Sequence, residues 1–394
     1  MTVVTGRGRE MSGESDDLGD WGGPGPPRDA RGRAGRAASN GETSMSALSG
    51  HPGPVPEERR DGAGGYPAPG PGPEGAAGWQ APPAPPAPRI GAAPAGTPYH
   101  LLARNRWNSW WRPIVGTVAF LVPALVVMVA LSIGAGVIAF FNGGMDAGGD
   151  PMAVLEAAPL AFLGATLLGL ASALPMVLLA ARLVQRRPAG TLSSVVGRFR
   201  WRWALTCAGA AAAAIAIGYA ISVATYLAAG RDLGEVFGAQ GWEWAGWGVF
   251  LPAAALVLLL VPFQAAAEEY VFRGWLMQAF GSFIRTPWPG IVVSSLLFMS
   301  VHGYTGWGAA WIFVWAMTLA WLSVRTGGLE AAVVMHVLHN LTGMLVTSAM
   351  GDIAAPLDQG AVPWEFVPGA LAQTFAFVAL TVLLARRHGV QTRS

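Results

Sequence analysis

The sequence is poor in charge and in cysteine, and it contains no lysine. Of its 394 residues, 12% are charged and 53% are hydrophobic, whereas about a quarter of the residues in soluble domains are charged. The single cysteine, Cys207, excludes an intrachain disulfide and a cysteine-ligated metal cluster. The shortage of charge and the long apolar runs exclude an ordinary soluble domain and indicate a polytopic membrane protein.

The absence of lysine leaves arginine as the only strongly basic residue, and the arginines lie mainly in short stretches between apolar runs. Arginine clusters are typical of nucleic-acid binding as well as of loops that flank membrane spans. Because the clusters here flank long apolar runs, we expect a lipid bilayer and no nucleic acid as partner. The first ~25 residues lack the apolar core of a signal peptide, so none is predicted.

The N-terminal quarter of the chain has a different composition. Residues 1–98 are rich in Gly, Pro, Ala and Arg, with runs such as Ala81–Pro88. A segment of this kind buries too little apolar surface to offset the entropy that is lost on ordering. We therefore predict a disordered cytoplasmic tail over residues 1–98, an integral membrane domain over 99–388 and a short C-terminal tail over 389–394.

Hydropathy predicts an all-α fold with about eight transmembrane helices. The predicted spans cover residues 113–141, 153–182, 203–229, 247 to the glutamate pair at 268 and 269, 289–303, 307–324, 329–350 and 366–386. Residues 192–203 are expected to form a short amphipathic helix on the membrane surface.

The charged residues between the spans divide into two groups. Arginines precede the first span and follow the second, fourth, sixth and eighth. Acidic residues lie mainly in the other loops, at Asp146, Asp150, Glu235, Glu243, Asp352, Asp358 and Glu365. The positive-inside rule then predicts a multi-pass protein of the inner (plasma) membrane with both termini in the cytoplasm.

Two adjacent carboxylates, Glu268 and Glu269, lie in an otherwise apolar run and are followed by Arg273. A charge at the bilayer centre costs about 2.5–3.5 kcal/mol on insertion scales, so such residues are functional candidates. Glu269 and Arg273 are four residues apart and share a helix face, whereas Glu268 points about 100° away. One carboxylate can therefore pair with arginine while the other faces a cavity and acts as a base.

Polar residues recur in later apolar segments, at His302, His336, His339 and Asn340. A neutral imidazole can accept a proton, donate a hydrogen bond or bind a metal, and an amide can stabilise an oxyanion. Taken singly, these residues have structural explanations, such as an interfacial histidine or a hydrogen bond between helices. Taken together with the glutamate pair, they indicate one convergent polar site carried by three spans.

The spacing of these residues matches three motifs of a known family. The run EEYVFRG from Glu268 to Gly274 is followed by Phe298 and His302 four residues apart, and then by His336 and Asn340 four residues apart. The sequence resembles the CPBP intramembrane proteases, which include type II CAAX prenyl endopeptidases and Abi-type bacteriocin-immunity proteins. The resemblance covers roughly residues 200–350, with the motifs inside 262–345.

This resemblance implies a helical membrane fold around a hydrophilic cavity and an endopeptidase activity. It implies that Glu268 activates water with help from His302. It also implies that His336 and Asn340 stabilise the tetrahedral oxyanion. The residue types agree with these roles, because peptide hydrolysis needs a base, a proton donor and oxyanion donors.

The resemblance further implies that Glu269 and Arg273 shape and polarise the site, and that the protein is a metalloprotease. Zinc or another divalent metal has Glu268, His302 and His336 as candidate ligands. The sequence has no H-E-x-x-H motif, and a metal-independent glutamate protease uses the same residues. Both mechanisms therefore stay open at this point.

The predicted topology raises one geometric difficulty. Glu268 lies near the end of the fourth predicted span, and His302 lies at the far end of the fifth. Along straight helices the two residues are offset by roughly 20 Å. We therefore expect a tilted, broken or re-entrant helix, with Pro262, Pro287 and Pro289 as candidate break points.

The leading hypothesis is an intramembrane endopeptidase that hydrolyses peptide bonds of membrane-associated or C-terminal peptide substrates. The alternative is a non-proteolytic bacteriocin-immunity or scaffold protein of the same fold, whose function survives the loss of Glu268. A proton-coupled transporter is a third possibility, although the sequence has no matching half-repeats to support it.

Overall fold

A computed structural model of the chain describes residues 89–144, 151–232, 236, 243–357 and 360–394. These residues are mainly helical, with one two-residue strand, which confirms the prediction of an all-α membrane protein. Residues 1–88 of the predicted tail lie outside the described residues, as do the acidic loop positions Asp146, Asp150, Glu235 and Asp358.

Eleven α-helices follow one another in the described part of the chain. They are α1 (Trp111–Phe141), α2 (Pro151–Glu156), α3 (Pro159–Ala171), α4 (Ala173–Leu183), α5 (Trp201–Ala228), α6 (Trp247–Glu269), α7 (Met277–Phe283), α8 (Trp288–Ser300), α9 (Gly306–Thr326), α10 (Glu330–Ala349) and α11 (Phe366–Arg387). A π-helical segment, Tyr270–Leu276, joins α6 to α7, and a two-residue strand, Ala361–Val362, precedes α11. Single 3₁₀ turns lie at Tyr99–Leu101, Ala189–Thr191 and Ala355–Leu357.

Seven of the helical stretches in the described residues are long and apolar enough to cross a membrane. Two of them combine helices: α3 with α4 over Pro159–Leu183, and α6 with α7 over Trp247–Phe283. The fifth predicted span is the exception, because α8 has 13 residues and is about 20 Å long, against about 30 Å for a bilayer core. The described part of the chain therefore holds seven candidate spans and one shorter apolar helix.

The fourth predicted span is much longer than the sequence indicates. We expected it to end at Glu268 and Glu269, but the helical chain continues through the π-helical segment to Phe283. The charges do not end the helix because they are paired inside the protein, with both Glu269 and Arg273 fully buried.

The expected amphipathic helix over residues 192–203 is wrong. No helix lies between the 3₁₀ turn Ala189–Thr191 and the start of α5 at Trp201. Here Val195 N donates to Gly327 O at 2.9 Å and Leu329 N donates to Ser193 O at 2.8 Å. Gly197 also has a φ of 74°, which a helix does not allow. The backbone therefore pairs with the α9–α10 turn instead of with itself.

One end of the helix bundle carries most of the arginines, and we call it the arginine face. It contains Arg112, Arg186, Arg200, Arg285, Arg325 and Arg386. Hydrogen bonds hold the helix ends together there: Arg112 Nη1 donates to Val184 O at 2.6 Å, and Arg200 Nη2 donates to Thr326 O at 3.1 Å. The start of α1 thus meets the end of α4, and the start of α5 meets the end of α9.

Both ends of the described chain also meet at the arginine face. Gly96 N donates to Ser394 O at 2.6 Å, and Ser394 N donates to Thr97 O at 3.0 Å. The residues that the sequence assigns to the end of the N-terminal tail and to the C-terminal tail therefore contact each other.

The opposite end of the bundle holds the other loops. Ala245 N donates to Ala349 O at 2.9 Å, and Arg231 pairs with Glu365 at 3.5 Å. Between the two ends, α5 and α11 pack closely through small residues. A Cβ on Gly218 would lie 2.7 Å from Gln373 Cβ, so only glycine allows this approach.

Candidate active site

Antiparallel packing brings the predicted site residues to one depth. The helical chain runs on from Glu268 to Phe283 for about 22 Å and returns from Trp288 to His302 over about 21 Å. Because α6 continues past the glutamate pair, the predicted offset of roughly 20 Å between Glu268 and His302 disappears. The two residues therefore meet without a break of the helix at a proline. His336 lies two turns into α10 and completes the group.

Glu269 forms the buried centre of the cluster. Its Oε1 accepts from Arg273 Nη1 at 2.8 Å and from His336 Nδ1 at 2.7 Å. The Glu269 and Arg273 side chains are both 0% exposed. This confirms the pairing that the four-residue spacing predicts, and it adds His336 from α10 as a second partner.

Glu268 points to a different set of groups, as its position on the helix predicts. Its Oε1 accepts from Gln264 Nε2 at 2.7 Å. Its Oε2 lies 3.7 Å from His302 Nε2 and 3.6 Å from His336 Nε2, and it is buried without a hydrogen-bond partner in the described residues. A buried carboxylate oxygen without a partner needs an explanation, and here it faces two imidazole nitrogens.

The partners of the two histidines fix which ring nitrogen carries a proton. His302 Nδ1 lies 2.7 Å from Phe298 O, and a carbonyl only accepts, so Nδ1 is protonated. His336 Nδ1 is likewise the donor to the Glu269 carboxylate. In their neutral forms both rings therefore present an unprotonated Nε2 towards Glu268 Oε2.

Aromatic rings surround the charged residues. The Arg273 guanidinium lies over the Phe298 ring at 4.0 Å and near the Trp315 ring at 5.7 Å. The His302 ring lies 4.1 Å from Phe298, and the His336 ring packs edge-on against Trp315 at 5.1 Å. These contacts attract the cation to the ring faces and limit how the imidazoles can rotate.

Asn340 is connected to Glu268 by Gln264, a residue outside the three predicted motifs. Asn340 Nδ2 donates to Gln264 Oε1 at 3.2 Å, and Gln264 in turn donates to Glu268. A signal for Gln264 was present, because it lies four residues before Glu268 in an apolar run and so shares its helix face.

His339 lies outside the cluster, although it is only three residues from His336. Its Nδ1 accepts from Gln373 Nε2 at 3.0 Å, and its ring packs against Trp311 and Trp315. It therefore belongs to the contact between α9, α10 and α11.

The exposure of the side chains changes across the site. His302 is 16% exposed and Glu268 is 9% exposed, whereas His336 is 3% exposed. The approach to Glu268 therefore lies on the His302 side, beside the loop that joins α8 to α9.

The donor chemistry of the site suits a metal, but its arrangement does not enclose one. Glu268 Oε2, His302 Nε2 and His336 Nε2 are all possible zinc ligands. Within the described ranges, however, no group of three His, Cys, Asp or Glu side chains is arranged to hold a metal ion. The metal therefore stays a prediction.

A loop on the arginine face connects the two helices that carry the site. The Tyr270 hydroxyl, directly after Glu269, lies 2.6 Å from Ser193 Oγ. The Ser193 carbonyl accepts from Leu329 N at the start of α10. Tyr270 also begins the π-helical segment, a geometry that is frequent at functional sites.

The fold and the site define a class of protein: a helical membrane protein whose apolar helices enclose a cluster of carboxylates, imidazoles, a guanidinium and amides. Residues 249–342 match the protein family described as "Type II CAAX prenyl endopeptidase Rce1-like". This segment contains every predicted site residue, and the match confirms the resemblance to the CPBP family over that segment.

A curated relative is similar over part of the chain. The "Uncharacterized protein YyaK" of Bacillus subtilis (strain 168) is 32% identical over 146 residues, which cover 34% of this chain. The chain spans 48% of the length of that relative. No solved structure matches the chain.

Proposed function

We propose that the protein is an intramembrane endopeptidase that cleaves membrane-associated or C-terminal peptide substrates. One observation carries the proposal: Glu268 Oε2 is buried and unpartnered, and it faces His302 Nε2 and His336 Nε2 at 3.7 and 3.6 Å. A water molecule in contact with all three atoms has a base and two further hydrogen-bonding groups beside it. The similarity to the Rce1-like family supports a protease over other chemistries.

In this mechanism Glu268 is the base. Gln264 occupies its Oε1, so Oε2 is the atom that accepts the proton from water as the water oxygen attacks the peptide carbonyl carbon. The same proton is then available for the departing amine, which needs it for the C–N bond to break. His302 orients the water through Nε2, because its Nδ1 is committed to Phe298 O.

The carbonyl oxygen becomes negative in the transition state and needs donors. His336 supplies one when it is protonated, because its Nε2 then carries a proton on the side that faces Glu268. His336 donates through Nδ1 to Glu269, which keeps the Nε2 side of the ring turned towards Glu268. Glu269, itself held by Arg273, thus orients His336, and Asn340 supplies a further amide.

We also propose that the arginine face is cytoplasmic, with the protein in the inner (plasma) membrane. This orientation follows from the positive-inside rule. His336 lies six residues after Glu330, about 9 Å from the arginine-face end of α10. Along α10, the site then lies near the cytoplasmic end of the helix.

A comparison of matched variants tests the proposal. Cells that express Glu268→Gln or His302→Ala should accumulate uncleaved membrane-proximal peptides that the wild type processes, as measured by quantitative proteomics of membrane fractions. His339→Ala is the matched control, since this histidine is one turn from His336 but bonds to Gln373 outside the cluster. Its peptide profile should equal that of the wild type.

The same experiment separates the enzyme from a non-proteolytic immunity or scaffold protein. A scaffold keeps its cellular function when Glu268 becomes glutamine, because the shape of the side chain is preserved. If the Glu268→Gln strain has the wild-type phenotype and the wild-type peptide profile, the endopeptidase proposal is wrong.

A further inference from the structure

Four arginines lie at the start of α1 and in the segments that precede α1 and follow α4, at the edge of the arginine face. We call them the arginine corner: Arg104, Arg112, Arg186 and Arg187. Asn105 Nδ2 holds the two chain segments together by donating to Gln185 O and Arg186 O, both at 3.3 Å. The four guanidinium groups are therefore carried by two segments that are fixed against each other.

In the described residues no carboxylate pairs with any arginine of this corner. Arg104 donates to the carbonyl of Gly281, and Arg112 donates to that of Val184. Arg187 is 0% exposed and donates to side-chain oxygens of glutamine and threonine, while its Nη2 has no acceptor. Burial lowers the pKa of Arg187 to about 10, so it keeps its charge at neutral pH. Within the described ranges, the corner therefore carries positive charge without a carboxylate counter-ion.

Arg186 is held in an unusual backbone conformation. Its φ is 50°, the left-handed region that a residue with a Cβ rarely adopts. Gly91 N donates to its carbonyl at 2.9 Å and helps to keep it there. As a result its exposed guanidinium lies over the Trp107 ring at 5.0 Å. Strain of this kind occurs most often at functional positions.

The surroundings of the corner are those of a membrane surface. Trp110 and Trp111, at the start of α1, are 72% and 41% exposed. Beyond them α1 presents exposed apolar side chains such as Ile114 and Val118 along its length. A cavity of about 610 Å³ beside Arg104 is lined by residues 90–92, 94 and 104–106. An anion bound here therefore has an aromatic belt and an apolar helix face beside it.

We propose that the arginine corner binds the phosphate of an anionic phospholipid, whose acyl chains lie along the exposed face of α1. Guanidinium groups recognise phosphate through paired N–H donors, and basic pockets at the ends of transmembrane helices are suited to lipid headgroups. The bilayer supplies this ligand directly at the first turn of α1. The proposal is independent of the proposed peptidase activity.

Native mass spectrometry of the purified full-length chain tests it, with phosphatidylglycerol and phosphatidylcholine as probes. The wild type should retain phosphatidylglycerol in preference to phosphatidylcholine. Arg186→Gly should weaken phosphatidylglycerol binding by about fivefold, the effect of one arginine near a lipid headgroup. Glycine adopts a positive φ without strain, so this variant removes the charge while favouring the native backbone. Arg186→Lys keeps the charge and should restore most of the binding.

Arg198→Gln is the matched control, because Arg198 is also exposed but belongs to the loop between α4 and α5 and not to the arginine corner. Equal loss of phosphatidylglycerol in this variant would show a general charge effect and overturn the proposal. Absence of any lipid preference in the wild type would do the same. A competition with inorganic phosphate completes the experiment. If inorganic phosphate displaces phosphatidylglycerol at equal concentration, the site binds free phosphate and the lipid assignment is wrong.

Discussion

At the scale of single residues, Gln264 connects two parts of the site. Its amide nitrogen donates to Glu268 and its amide oxygen accepts from Asn340. It thereby keeps one oxygen of Glu268 occupied and leaves the other facing the histidines. The proposed base is oriented by a neutral neighbour one helical turn away.

We predict that Gln264→Leu lowers kcat about tenfold with a smaller change in KM, because a hydrogen bond to a charged group contributes about 1.5 kcal/mol. The variant is similar in size and keeps α6 apolar. Peptide cleavage by purified protein in liposomes measures the effect. Gln373→Leu, which removes a comparable amide bonded to His339, should leave kcat unchanged. Equal activity of Gln264→Leu and wild type would contradict the role of Gln264.

The buried pair of Glu269 and Arg273 leads to a prediction about stability. Arg273→Leu leaves a fully buried carboxylate without its cation and should destabilise the protein by about 3–5 kcal/mol. The double substitution Glu269→Leu with Arg273→Leu removes both charges and should recover most of that loss, without restoring cleavage. Thermal unfolding in detergent and a peptide-cleavage assay measure the two effects.

The Arg200–Glu330 pair is the control for this experiment, since it is a second strong ion pair outside the site. Arg200→Leu should lower the unfolding temperature but leave the activity of the folded fraction intact. If the Glu269 and Arg273 double variant cleaves peptide at the wild-type rate, the pair is structural only.

Much of the site at this scale is predictable from spacing. The interval of four residues between Glu269 and Arg273 predicts their pairing, because such residues share a helix face. The bond between His336 and Glu269 is not predictable in this way, because it joins residues 67 positions apart. Gln264 is not predicted, because burying an uncharged amide in the membrane costs less free energy than burying a carboxylate. An amide in an apolar run is therefore a weaker indication of a functional residue.

At the scale of elements, the loop between α4 and α5 sets the position of the two helices that carry the site. Ser193 contacts the Tyr270 hydroxyl through its side chain and Leu329 N through its carbonyl. The π-helical segment and the start of α10 are therefore fixed to the same residue. A shift of this loop moves Glu269 relative to His336.

We predict that Tyr270→Phe lowers kcat severalfold and destabilises the protein by about 1 kcal/mol, the typical net contribution of one hydrogen bond. Because the two hydroxyl groups bond to each other, adding Ser193→Ala should cause little further loss, and a double-mutant cycle measures this coupling. Tyr99→Phe is the control, since it removes a hydroxyl that bonds to Leu192 O in the same loop. Tyr99→Phe should lower the stability without changing kcat. If the losses from Tyr270→Phe and Ser193→Ala are additive in the double-mutant cycle, the proposed coupling between Tyr270 and Ser193 is wrong.

The lengths of the elements were predicted less well than their number. The charged pair predicts an end of the fourth span at Glu268 and Glu269, whereas Glu269 and Arg273 pair with each other inside the bundle and the helix continues. This error created the apparent 20 Å offset between Glu268 and His302. The loop at 192–200 was missed for a related reason, because its backbone partners belong to a turn more than 130 residues away.

At the scale of the whole molecule, the helix ends divide into an arginine face and an opposite end. Backbone and side-chain bonds join the starts of α1 and α5 to the ends of α4 and α9 at the arginine face. The orientation of one span therefore fixes the orientation of all the others. A single measurement at each end is enough to test the topology.

We predict that the arginine face is cytoplasmic, and the single cysteine makes this simple to measure. Cys207 is 0% exposed, so a membrane-impermeant maleimide should not label the wild type. In intact cells the reagent should label Glu243→Cys, on the opposite end, and should not label His388→Cys until the membrane is permeabilised. Because the helix ends at each face are joined to one another, the reverse pattern would invert the whole bundle. It would place the arginine face outside the cell and contradict the proposed orientation.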